Sequence, residues 1–259
     1  MTGLIRTELL KLRTTRVSYG LLLTAAAITV MFASLEASGA GRSVAPISTA
    51  AGQATVTTVT GIGMILAAVL GVIVTSGEFR HASATLTYLA CPNRGRVLAA
   101  KAMAAAAAGV VFGVLAGIVA TVTGLVWTVS KGGHLHLGAG VIVGHIAGAG
   151  AGAALLAMLG VALGSLVRSQ LAAVIGVFVW ALVLESILGG TVSAVRPYLP
   201  YTVASTLGGA KLGAAAFGPG YSIVNQSALP FIAGAVLLAG IVVVLSLAAV
   251  RTTVRRDIT

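Results

Sequence analysis

Catalysis and metal binding need acids, bases, nucleophiles or soft ligands at workable spacing, and this chain of 259 residues is poor in all of them. Asp and Glu together number five, and the one aspartate, Asp257, lies in the C-terminal tail, so a paired-aspartate site is excluded. No glycine loop followed by Lys and Ser or Thr is present to cradle a nucleotide; the string GGAKLG at 208–213 has neither the spacing nor the hydroxyl. His-Glu-x-x-His for zinc and Gly-x-Ser-x-Gly for acyl transfer are both missing. His134, His136 and His145 match no strong ligand spacing, and Cys91, being single, cannot form an internal disulfide. Two features stand out against this background. Glu185 lies inside an apolar run, where an ionisable group is costly and therefore a functional candidate. The segment 75–101, TSGEFRHASATLTYLACPNRGRVLAAK, gathers a Glu, three Arg, a His and a Lys in a chain that is only 8% charged.

The elements that position these residues follow from composition. With 58% hydrophobic residues and a mean hydropathy of +1.07, the chain reads as an integral membrane protein. A spanning helix needs about 20 mostly apolar residues, and six such runs occur, at about 17–35, 59–76, 102–129, 140–166, 171–189 and 230–250. Solid runs of this kind exclude a β-barrel, whose strands alternate. The expected fold is an all-α integral membrane protein forming a single transmembrane domain over 1–259. Twelve Lys and Arg fall on the side holding the N-terminal segment, the 77–101 loop, Arg168 and the tail, against four on the other. The positive-inside rule then places both termini in the cytoplasm, and the even number of spans agrees. The net charge of +11 is accounted for by topology and calls for no nucleic acid. The first apolar run is longer than a signal-peptide core and is read as a retained span.

Residues 1–16 are too polar to span. Ile5, Leu9 and Leu12 form one helical stripe there, edged by Arg6 and Arg13, which reads as a helix lying in the headgroup region; a short basic tip that only sets topology is the plainer reading. The fourth run repeats Gly144, Gly148 and Gly152, then Gly160 and Gly164, a spacing that lets helix backbones approach closely. The 190–229 loop contains YLPYTVASTL, expected to form a short interfacial or re-entrant helix with Tyr198 and Tyr201 at the membrane boundary. Glu185 falls in the outer third of the fifth run, where it either bonds a neighbouring helix or takes part in a transport path.

In the charged segment, residues 79–90 read as a short helix with Phe79, Ala82, Leu86 and Leu89 on one face. Pro92 stops it, and Asn93 is placed to cap the helix that follows. An amphipathic helix between two membrane helices suits docking in the groove of a partner protein; resting on lipid is the bland alternative. These residues resemble the cytoplasmic loop of permease subunits of ATP-binding-cassette transporters of the ABC-2 superfamily. Gly77, Glu78, Phe79, Arg80, Leu86, Leu89, Pro92, Arg94 and Lys101 match the pattern, with Ala82-Ser83 where the family has Gly-Thr. The opening ELLKLRTTR, the turn GSLVRSQLAAV and the loop string PYLPY are similar to family segments as well.

The resemblance implies that the whole chain is one permease domain, an exporter subunit that works with two separate cytoplasmic ATPase subunits and a second permease, either a copy or a paralogue. ATP would be bound by the partner, so no cofactor and no catalytic residue is expected in this chain. Residues 1–16 would be the elbow helix and 77–94 the coupling loop, with Glu78, Phe79, Arg80, Leu86, Leu89 and Arg94 engaging the ATPase. Glu185 would lie near the translocation path, and the cargo would be a drug, lipid or peptide. Arg outnumbers Lys twelve to four, which points to a bacterial plasma membrane. Two other functions fit the composition: an ion-coupled carrier or channel without an ATPase, and a non-transporting assembly or sensor protein.

Overall fold

A computed structural model of the chain describes residues 2–39, 45–80, 93–167, 169–210 and 229–252, excluding the side chains of 78–80 and 94. The described residues contain no strand. Among them nine helices follow one another, with a short 3-10 helix at Ser193–Tyr198 between the seventh and the eighth: α1 (Thr2–Thr14), α2 (Arg16–Ser38), α3 (Ala50–Thr57), α4 (Gly61–Arg80), α5 (Arg94–Ser130), α6 (Ala139–Leu166), α7 (Gln170–Thr191), α8 (Pro200–Leu207) and α9 (Phe231–Thr252). Six helical stretches are long and apolar enough to cross a membrane: α2, α3 with α4, α5, α6, α7 and α9. All six coincide with the runs expected from the sequence.

The spans divide into a centre and a periphery. In the most apolar window of the second and fourth spans, 72% and 61% of residues are buried within the protein, against 17%, 22% and 17% in the first, fifth and sixth. An apolar helix left largely uncovered by protein is solvated by lipid tails in a bilayer. The centre is a three-helix unit of α4, α5 and α6 joined through glycines. A Cβ on Gly160 would overlap the Ala68 carbonyl, and one on Gly71 would overlap that of Ala157, so α4 and α6 lie in backbone contact. Gly164 continues the seam, 2.9 Å from the Val72 oxygen by the same construction. Gly109 and Gly113 meet Ala153 and Ala149 in the opposite chain sense, so α5 runs antiparallel to α6. Gly148 and Gly152 bring α6 against Leu207 and Ala204 of α8. Four of the five glycines singled out in the fourth span thus serve close packing, while a Cβ on Gly144 would meet nothing among the described residues.

Two outer elements extend the sequence reading. The loop expected over 36–58 contains α3, capped by Thr49, whose hydroxyl accepts the Gly52 amide at 3.2 Å. The helix expected within 190–229 is α8, with Val203, Ala204 and Leu207 buried against α6 and α9. The remainder of that loop, 211–228, lies outside the described residues.

Candidate functional site

At the end of the bundle where α4 stops and α5 begins, α4 stays helical through Arg80, so Glu78, Phe79 and Arg80 occupy its last turn. Asn93 caps α5 as expected, its Oδ1 accepting the Arg96 amide at 3.2 Å, and Arg94 is the first residue of that helix. Leu86 and Leu89, with the rest of the expected 79–90 helix from His81 onward, lie outside the described residues. The segment 81–92 is therefore joined directly to two helices of the glycine-sealed centre.

Two turns into α5, the same end holds a buried ion pair that sequence reading did not assemble. Lys101 Nζ donates to Glu8 Oε2 at 3.2 Å, with side-chain exposures of 3% and 7%. Glu8 also accepts from Lys11 at 2.8 Å. Glu8 and Leu12 are the buried residues of α1, and Leu9 packs on the core beside them. The side of α1 that carries Glu8, Leu9 and Leu12 packs against α5 and the core. The signal was Glu8 itself: a carboxylate four residues before Leu12 shares its face, and an acid on an apolar face calls for a buried cation.

At the opposite end, Glu185 is 4% exposed and fully engaged. Its Oε1 accepts from the Tyr201 amide at 2.7 Å and Trp180 Nε1 at 2.9 Å. Its Oε2 accepts from the Thr202 amide at 2.9 Å and the Thr202 hydroxyl at 3.0 Å. Helix α8 begins at Pro200, which has no amide hydrogen, and Leu199 at the N-cap position has no side chain able to cap it. Its first free amides are those of Tyr201 and Thr202, and a carboxylate from another helix takes both. The local geometry of α7 makes this reachable. Val179–Leu184 is a π-helical turn, whose i to i+5 repeat sets Trp180 and Glu185 on one side. Of the two readings of Glu185, the bond to a neighbouring helix is the one seen in the geometry.

The histidines are spread over separate tasks. The buried side chain of Gln53 donates to the His134 carbonyl and accepts the His136 amide, both at 2.8 Å, fastening the α5–α6 loop to α3. His145 Nδ1 lies 3.0 Å from the Thr57 hydroxyl. Among the described residues no three His, Cys, Asp or Glu side chains converge as metal ligands. Near them, Lys131 donates to the Ala37 carbonyl at 3.2 Å and lies 5.3 Å over the Trp127 ring, tying the ends of α2 and α5 together. No protein-family model matches the chain, and no curated protein does.

Proposed function

We propose that this chain is the membrane-spanning permease subunit of an ATP-binding-cassette exporter, seated in a bacterial plasma membrane with both termini in the cytoplasm. Two cytoplasmic ATPase subunits bind the ATP, and a second permease, identical or paralogous, completes the pathway. The observation that carries the reading is the charged segment 77–94, which resembles the ABC-2 pattern and joins two packed helices long and apolar enough to cross a membrane. Closure of the ATPases pushes on that segment, with Phe79, Leu86 and Leu89 as apolar anchors and Glu78, Arg80 and Arg94 orienting it. The push passes to α4 and α5, and through the glycine seams to α6. Helix α1, clamped to α5 by Glu8 and Lys101, acts as the elbow and moves with the same unit. Glu185 contributes to the pathway by fixing α8, which closes the far end of the bundle.

The test is purification of the tagged chain from its native membrane, with co-purifying proteins identified and ATP hydrolysis and transport assayed. A near-stoichiometric cytoplasmic ATPase is expected. Leu86→Asp should leave insertion intact and lose the ATPase or uncouple hydrolysis from transport. Normal transport by that variant refutes the role of the segment. Transport that follows an ion gradient and ignores ATP depletion refutes the whole reading in favour of a carrier.

A further inference from the structure

The outward face of α1 carries charge that no acidic group among the described residues answers. Glu8 is taken by Lys11 and Lys101. Arg6, Arg13 and Arg16 are exposed and make no ion pair among the described residues. Arg6, Leu10 and Arg13 fall at i, i+4 and i+7 and so share a face, turned away from the Glu8 and Leu12 side that packs inward. Leu10 is 51% exposed between the two arginines, and Val17 and Tyr19 continue the apolar surface around the corner. A hydrogen bond spans the corner: the Tyr19 hydroxyl donates to the Arg13 carbonyl at 2.9 Å. A single residue, Thr15, separates α1 from α2, whose first residue is Arg16. A helix tied that closely to a span lies at the depth of the lipid headgroups.

We propose that Arg6, Leu10, Arg13 and Arg16 form a docking surface for anionic phospholipid, with the guanidinium groups on phosphate and Leu10 and Val17 against the upper acyl chains. A guanidinium fork matches the oxygens of a phosphate, and basic residues beside a span are drawn to an anionic leaflet. An acidic protein surface is the competing occupant. The depth of the face and the apolar Leu10 between its charges favour lipid. The inference requires only that α2 spans the bilayer, and stands apart from the ATPase reading.

The experiment uses the full chain, delipidated in detergent and given equal amounts of phosphatidylglycerol and phosphatidylcholine with identical acyl chains, with retained lipids counted by native mass spectrometry. The wild type should retain phosphatidylglycerol preferentially. Each of Arg6→Gln, Arg13→Gln and Arg16→Gln should reduce the preference about fivefold, and the triple variant should abolish it. Arg196→Gln, in the short 3-10 helix before α8, should leave it unchanged. Circular dichroism confirms that each variant is folded, and if the triple variant is not, the three single variants decide. No preference in the wild type, or an undiminished one in the variants, overturns the proposal. Loss of the preference on adding millimolar inorganic phosphate assigns a free-phosphate site and overturns it too.

Discussion

The cluster of Glu8, Lys11 and Lys101 allows a quantitative test, because its two lysines differ so much in access to water. Lys101 is 3% exposed and Lys11 is 53% exposed. Removing one partner of a buried pair costs about 3–5 kcal/mol, chiefly because the other charge stays buried, whereas an exposed pair is worth about 0–1 kcal/mol. Glu8→Leu takes the carboxylate from both lysines. Lys11 rehydrates at little cost, so the penalty falls mainly on Lys101, which loses one charge-assisted hydrogen bond, and should be about 1.5–3 kcal/mol. Lys101→Met leaves Glu8 held by Lys11 at 2.8 Å, and should cost less, about 1–2 kcal/mol. The double variant Glu8→Leu/Lys101→Met removes both ends of the pair and should cost less than the two single losses added together. The cycle should then give a coupling energy of about 1–3 kcal/mol, within the range for neighbouring residues. The assay is unfolding of the four proteins in mixed micelles against rising denaturing detergent, followed by circular dichroism. A double variant whose loss equals the sum of the two single losses refutes the reasoning: α1 would then be held by its apolar residues alone.

The glycine seam gives a paired prediction. Gly160→Ala forces a methyl against the Ala68 carbonyl and should cost about 1–3 kcal/mol. Gly144→Ala adds a methyl that meets nothing among the described residues and should stabilise by about 0.5–1 kcal/mol, so thermal unfolding of the two variants should move in opposite directions. Glu185→Gln replaces two accepting oxygens by one and should cost about 1.5–3 kcal/mol. Hydrogen exchange should accelerate at the Tyr201 and Thr202 amides while the α4–α6 centre stays protected; unchanged exchange there would refute the capping role.

The spans were legible because length and composition alone define them: 171–189 and 230–250, for example, are long and almost wholly apolar, and need no knowledge of their neighbours to be read as helices in lipid. Close packing at Gly148, Gly152, Gly160 and Gly164 was legible from their spacing, but the failure of Gly144 to join them was not, since the repeat does not say where the neighbouring helix ends. Helix α3 escaped notice because AAGQATVT is short, mixed and interrupted by Gly52; only Thr49 as a cap marked its start. The stripe on α1 was visible, yet periodicity identifies a face without saying which helix it packs against, here α5. The role of Glu185 depends on amides 16 and 17 residues away and on a π-turn that no composition announces. Leu86 and Leu89, expected from the sequence as anchors, lie outside the described residues.

The seams between α4, α5 and α6 also set what the molecule is able to do mechanically. Each carbonyl at these contacts sits in a notch left by a missing Cβ, as Ala68 does at Gly160 and Ala149 at Gly113. A slip of one residue, about 1.5 Å along the axis, would bring a methyl or isopropyl group to the notch and drive the backbones apart. The three helices are therefore keyed together like splined shafts, free to tilt as a body and unable to slide past one another. Any stroke that moves this protein must be taken up at its thinly covered rim, where α2, α7 and α9 meet the bilayer with few side chains locked against them.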